Sequence, residues 1–147
     1  MAWTIKDAEE WMLPQLEELE KGCFSVPWTL QQLKSQMPDE HHIFLTAVEG
    51  EHVLGYVGMM VVLDEGYISN VAVSPNSRRT GIGDALISEL MNRAKAHRLA
   101  FVTLEVRESN TPAIALYEKH GFCAVGRRKN YYELPREDAV LMTNYRK

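Results

Sequence analysis

An α+β, or mixed α/β, layout is what this 147-residue sequence predicts: a largely antiparallel sheet flanked by helices, in the order β-α-α-β-β-β-α-β-α-β-β. Three observations carry the prediction. Runs rich in β-branched and aromatic residues, such as Ile43–Glu49 and Tyr67–Val73, are bounded by short polar turns. The Glu49-Gly50-Glu51 turn and the link across Pro135 are hairpin signals, which favour antiparallel neighbours. Apolar positions 86, 87, 90, 91 and 94 recur at helical spacing.

Each element has its own justification. Trp3–Lys6 reads as a short strand, with Asp7 as a turn or cap residue. Leu13–Leu19 reads as a helix that tolerates Pro14 because it lies in the first turn. Thr29 is suited to cap a second helix running through Leu30 and Leu33 toward Met37. Ile43–Glu49, His52–Leu63 and Tyr67–Val73 read as strands, and the helix of positions 86–94 follows. Phe101–Val106 is largely apolar on both faces, so it is expected to be central. Thr111-Pro112 starts another helix, which His120-Gly121 ends with glycine in the C′ position. Cys123–Tyr132 and Ala139–Tyr145 complete the chain as an antiparallel pair. No repeat, low-complexity tract or linker interrupts it, so residues 1–147 read as a single domain long enough for a real core.

The segment Val71-Ala72-Val73-Ser74-Pro75-Asn76-Ser77-Arg78-Arg79-Thr80-Gly81-Ile82-Gly83 carries the first functional signal. A β-branched run stops at a proline, a doubly basic turn follows, and two glycines open a helix. Glycine lets backbone approach a ligand closely, and the first amides of a helix lack partners and favour negative charge. Arg78 and Arg79 add donors suited to phosphate. The loop is not a P-loop, since no Gly-Lys-Ser/Thr follows. It is not a dinucleotide fingerprint either, since Leu86 stands where the third glycine belongs. A phosphate-bearing ligand is expected.

Composition sets further bounds. No apolar run approaches the roughly 20 residues of a membrane span, and the first residues lack a signal peptide's apolar segment. Cys23 and Cys123 form no C-x-x-C and read as reduced thiols of a cytoplasmic protein, with Cys123 in a packing role. Residues 1–70 hold 12 acids and 3 bases, whereas residues 71–147 hold 8 acids and 13 bases. A basic half carrying the phosphate loop and an acidic half elsewhere suggest two ligands of opposite charge meeting in one cleft. The overall charge of −4 disfavours direct nucleic-acid binding. The histidines form no H-E-x-x-H, and Asp39-Glu40-His41-His42 reads as a solvated turn, so no metal is expected.

Glu105 is a carboxylate within an otherwise apolar strand. Burial would raise its pKa toward the range of a general base; the alternatives are a solvated face or a pairing with Arg107. Tyr117 lies on the following helix, where a core role is the ordinary one for an aromatic.

The pattern Arg-x-x-Gly-x-Gly at Arg78–Gly83, after a strand ending Val-x-Val, resembles the pyrophosphate loop of the GCN5-related N-acetyltransferases (GNAT). Asn110-Thr111-Pro112-Ala113-Ile114-Ala115-Leu116-Tyr117-Glu118-Lys119-His120-Gly121-Phe122 is similar to that family's Asn-x-x-Ala-x-x-Leu-Tyr-x-x-x-Gly-Phe segment. The resemblance implies acetyl-CoA as cosubstrate, contacted by Val71, Ala72, Val73, Arg78, Arg79, Thr80, Gly81, Ile82, Gly83, Asp84 and Asn110. It also implies Glu105 as proton acceptor and Tyr117 as proton donor to the leaving thiolate. The carboxylate of Asp84 is expected to point away from phosphate.

Five further segments, Cys23–Thr29, Ile68–Val73, Leu104–Arg107, Arg128–Tyr132 and Glu137–Met142, resemble family members that acetylate the N-terminal alanine of a small-subunit ribosomal protein. That likeness covers nearly the whole chain and implies a basic protein N-terminus as acceptor. Phe24, Trp28, Tyr67, Tyr131 and Tyr132 are the candidate acceptor-cleft residues. A small-amine or antibiotic acetyltransferase, or a non-catalytic acyl-CoA-binding module, are the competing readings.

Overall fold

The computed structural model describes residues 3–145. Strands β1 (Thr4–Asp7), β2 (His42–Glu49), β3 (His52–Val62) and β4 (Glu65–Val73) form an antiparallel meander. Strands β5 (Phe101–Arg107), β6 (Cys123–Glu133) and β7 (Arg136–Tyr145) form a second antiparallel group. The two join along β4 and β5, which run parallel, giving one sheet in the order β1-β2-β3-β4-β5-β7-β6. Helices α1 (Leu13–Cys23) and α2 (Leu30–Ser35) cover one face, and α3 (Ile82–Ala96) and α4 (Thr111–Lys119) cover the other.

Local sequence explains these elements. Leu13, Leu16 and Leu19 put the buried stripe of α1 against Phe44, Val53 and Tyr56. Thr29 caps α2, its side chain accepting from the Gln32 amide at 3.2 Å while Gln32 returns a bond to the Thr29 amide. Ile82, Leu86, Ile87, Leu90, Met91 and Ala94 bury the opposite stripe of α3. Gly121 ends α4 at φ +88°, as its C′ position requires. The expected order of elements is present, with boundaries shifted by a residue or a few. One expectation is corrected: Cys123 is exposed, because β6 is the outer edge of the sheet and no helix covers it.

An irregularity in β4 shapes everything beyond it. Gly58 of β3 faces Asn70 and Met59 faces Ile68, so Ser69 is an extra, unpaired residue on β4. Such a bulge bends its strand and reverses the alternation of side chains. Ile68, before it, points to the α3 face, whereas Ala72, after it, is buried on the α1 face. The parallel β4–β5 ladder holds only Glu65–Phe101, Gly66–Val102 and Tyr67–Thr103. Past Tyr67 the strands diverge as a wedge.

Gly55 holds β3 tightly against the far end of β4. A Cβ there would lie 2.8 Å from the Ala72 carbonyl oxygen and 3.2 Å from Ile82 Cγ2. Gly55→Ala should therefore cost about 1–3 kcal/mol of unfolding free energy in a urea titration. An unchanged midpoint would show that this close approach is not a constraint.

Candidate active site

The phosphate-loop residues assemble at the N-terminus of α3. After β4, a 3₁₀ turn at Pro75–Ser77 redirects the chain. Arg79 and Gly81 adopt left-handed backbone, at φ +65° and +87°, which turns successive amides to one side. Gly81 is the N-cap of α3, and no side chain caps the helix. The amides of Ile82, Gly83 and Asp84 are thus left without a side-chain acceptor at the positive end of the helix dipole. Thr80 Oγ1 donates to the Ser77 carbonyl at 2.5 Å and braces the turn. A Cβ at Gly83 would stand 3.3 Å from Leu116, so glycine allows α3 to pack closely on α4.

The charged neighbours sort themselves. Asp84 Oδ1 accepts from Lys119 Nζ and faces His120 Nε2, each at 2.9 Å, so its carboxylate turns to the end of α4. Lys119 first, then His120, holds the Asp84 carboxyl below the usual range. The two arginines part company. Both are exposed, but Arg78 folds back, with Nε donating to the Val73 carbonyl at 3.2 Å and Nη2 lying 3.6 Å from Cys23 Sγ. The strand-end carbonyl of Val73, which β5 does not ladder, thus anchors Arg78 through its Nε. Asn110 caps α4, its side-chain oxygen accepting from the Ala113 amide at 3.3 Å.

Val71, Ala72 and Val73 lie on the stretch of β4 that has left β5. Tyr67 stands at the apex of the wedge, in the last paired position, with its ring edge-on to Phe101 and its hydroxyl donating to Glu65 Oε1 at 2.5 Å. That bond raises the Tyr67 pKa.

Strand alternation sends Leu104 and Val106 into the α3-side core and Glu105 to the opposite face. Glu105 is therefore half-buried rather than enclosed by apolar groups, and Oε2 accepts from Arg128 Nε at 2.9 Å. Arg128, not Arg107, is its partner. Arg107 instead organises the β6–β7 turn: it donates to the carbonyls of Pro135 (2.8 Å) and Leu134 (3.0 Å), meets Glu137 at 3.2 Å, and lies 4.3 Å under the Tyr132 ring centroid. Hydrogen bonds from Ser109, then Arg107, hold the Glu137 carboxyl below its usual range. Ser25 Oγ donates to the Leu134 carbonyl, so the α1–α2 loop touches the β6–β7 turn. Tyr131 is exposed and packs edge-on to Tyr132 at 5.0 Å. Phe24 and Trp28 are half-buried against the α1-side core.

Tyr117 is buried in the α3-side cluster, 5.8 Å from Phe122. Burial, then the nearby Tyr132, pushes its phenol far above the ordinary value of about 10. Burial first, then Tyr131, pushes Tyr132 up to about 12. Both hydroxyls therefore keep their protons at neutral pH.

Sequence reasoning missed Glu20, Asn70, Arg107 and Arg128. Glu20 is fully buried, and burial raises its pKa. The signal was present: Glu20 falls four residues after Leu16 and seven after Leu13, on the apolar stripe of α1. Among the described residues, no group of three or more His, Cys, Asp or Glu could hold a metal ion, and no helix is long and apolar enough to cross a membrane.

Comparison with known proteins matches this geometry. The model of the acetyltransferase (GNAT) family aligns with residues 13–122. The chain is 37% identical over 144 residues to the ribosomal protein bS18-alanine N-acetyltransferase of Haemophilus influenzae, covering 96% of this chain and 97% of that one. Against the enzyme of the same name from Escherichia coli it is 36% identical over 141 residues, 95% of each chain. The crystal structure of the ribosomal-protein-S18-alanine N-acetyltransferase from Escherichia coli superimposes with a TM-score of 0.90 at 34% identity, covering 98% of this chain and 94% of that one. The wedge between β4 and β5, the uncapped helix beside it and these matches over nearly the full length lead to one conclusion: the chain belongs to the GNAT acetyltransferase family.

Proposed function

We propose that this protein, a single N-acetyltransferase domain working in the cytoplasm, moves the acetyl group of acetyl-CoA to the N-terminal α-amino group of a protein. The favoured acceptor is the N-terminal alanine of ribosomal protein bS18, the substrate named for its relatives. The observation that carries the reading is the pairing of an uncapped α3 N-terminus with a strand that has left its neighbour. The first suits a diphosphate, through the amides of Ile82, Gly83 and Asp84 with Arg79 beside them. The second offers the backbone groups of Val71 and the amide of Val73, which face away from β3, to an extended pantetheine arm and its thioester, in the manner of an added strand.

The chemistry then needs two proton transfers. An α-amine with a pKa of about 7.7–8.0 must lose a proton to attack the thioester carbon. Glu105, at the cleft face, takes it directly or through one water. A β4 amide steadies the charge that develops on the carbonyl oxygen. As the carbon–sulfur bond breaks, Tyr117 gives its proton to the thiolate. Burial keeps that phenol protonated until the thiolate forms, and the same burial makes it a weaker acid than a solvated tyrosine. The acidic N-terminal half suits a basic peptide entering amine-first.

Three outcomes test the reading. Incubation with acetyl-CoA and a peptide beginning with alanine should yield a product acetylated at the α-amine by mass spectrometry; acetylation only of lysine side chains or small polyamines would defeat the assignment. Tyr117→Phe should lower kcat by one or more orders of magnitude with coenzyme A affinity nearly intact, whereas an unchanged kcat removes Tyr117 as donor. Glu105→Gln should lower kcat and shift its pH dependence to higher pH, and a profile identical to the parent's excludes Glu105 as base. A fourth outcome concerns Tyr117 itself: titration to about pH 10 should produce equal phenolate absorbance in parent and Tyr117→Phe, since the buried phenol stays neutral there. Loss of a phenolate in the variant would place Tyr117 in an ordinary, solvated environment.

A further inference from the structure

Glu20 is a buried carboxylate that the proposed transfer does not use. Its side chain is fully shielded, and no Lys, Arg or His is among its hydrogen-bond or ion-pair partners in the described residues. Oε1 accepts the backbone N–H of Trp28 at 2.7 Å, and Oε2 accepts from Asn70 Nδ2 at 3.1 Å. Asn70 Nδ2 also lies 3.3 Å from the Tyr56 hydroxyl, itself buried. A carboxylate in such a place is costly unless its oxygens are well satisfied, and a neutral apolar residue would pack there more cheaply. Its partners show what it links. Trp28 ends the Phe24–Trp28 loop, one wall of the acceptor cleft, just before α2. Asn70 directly follows the Ser69 bulge and directly precedes Val71 on β4.

The geometry points to Glu20 as a positioning residue that ties the acceptor-side loop to the acetyl-side strand through Trp28 and Asn70. The inference deepens the proposed function and rests on it for the nature of the acceptor. The bulge frees β4 from β5 but also removes a ladder that would fix its height. The Glu20–Asn70 bond restores a fixed point there, and the Glu20–Trp28 bond sets the loop against it. Acceptor amine and thioester are then held in register by one carboxylate, and small displacements between reacting groups are costly in rate. Glu20 touches no reacting atom in this scheme.

The polarity of the Glu20–Asn70 pair supplies the test. Glu20→Gln sets an amide donor against the Asn70 donor, and Asn70→Asp sets two carboxylates together. The double variant Glu20→Gln/Asn70→Asp restores one hydrogen bond with donor and acceptor exchanged. Hydrogen–deuterium exchange of the peptide covering residues 24–30 should quicken about tenfold or more in each single variant and return to within about threefold of the parent in the double. This readout needs no acceptor, so it is independent of the proposed activity. With an alanine-terminated peptide, acceptor KM should rise about tenfold in the singles and recover in the double, while acetyl-CoA KM stays within about twofold throughout.

Should either single variant fail to fold, the double decides. Parent-like exchange in a folded double supports the tether; exchange still quickened, or a double that also fails to fold, overturns it. Exchange unchanged in folded singles overturns it as well, as does an equal rise in the KM of both substrates. A parent that ignores the peptide while exchange follows the expected pattern removes the acceptor assignment and leaves the tether standing.

Discussion

The separation of β4 from β5 past Tyr67 is the constraint on which the rest of the molecule depends. A continuous ladder would consume the backbone groups of Val71 and Val73, which face away from β3, and leave no slot in the middle of the sheet. The extra residue at Ser69 turns the strand aside, while Gly55 keeps its other edge tight against β3. The cost of an unladdered strand is offset elsewhere. Ser74 donates to Leu54, and Arg78 and Cys23 supply donors to the Val73 carbonyl. Asn70 is held from below by Glu20. The wedge is thus braced from the α1 side and open on the side that faces β5.

Charge is arranged around that opening with a division of labour. On the α3 side, Asp84 is drawn to Lys119 and His120, which keeps a carboxylate off the helix N-terminus. On the acceptor side, two arginines are spent on structure: Arg128 on Glu105, and Arg107 on the Leu134–Pro135 turn and Glu137. The Arg128 contact means that Glu105 shares its charge with a cation about as exposed as a surface group. In the proposed transfer, proton uptake by Glu105 would go with a loosening of that pair, a change that a long, flexible side chain on an edge strand readily makes.

Much of this architecture was legible in the sequence because it rests on short-range rules. The Arg78–Gly83 glycines, the Thr29 cap and the Gly121 stop are each fixed by a local backbone requirement, and the structure shows all three. The placing of Glu105 and Tyr117 on opposite faces follows from strand alternation and helical phase, but the sequence left open whether Glu105 lies among apolar groups or on a solvated face. What was not legible depends on pairing across the sheet. Ser69 carries no glycine to announce a bulge. The turning-back of Arg78 depends on a carbonyl that is free only because β4 has left β5. The exposure of Cys123 depends on β6 being an edge, and strand order cannot be read from the strands themselves. Glu20 was the exception, since its place on an apolar stripe was visible and its meaning was not.

The account stands on a diphosphate seated at the bare amides that open α3. Calorimetric titration with coenzyme A, set beside pantetheine that lacks the diphosphate, tests this most directly. The account predicts a single saturable site for coenzyme A and binding weaker by on the order of tenfold or more for pantetheine. Equal affinities, or no heat with coenzyme A for folded protein, would contradict it.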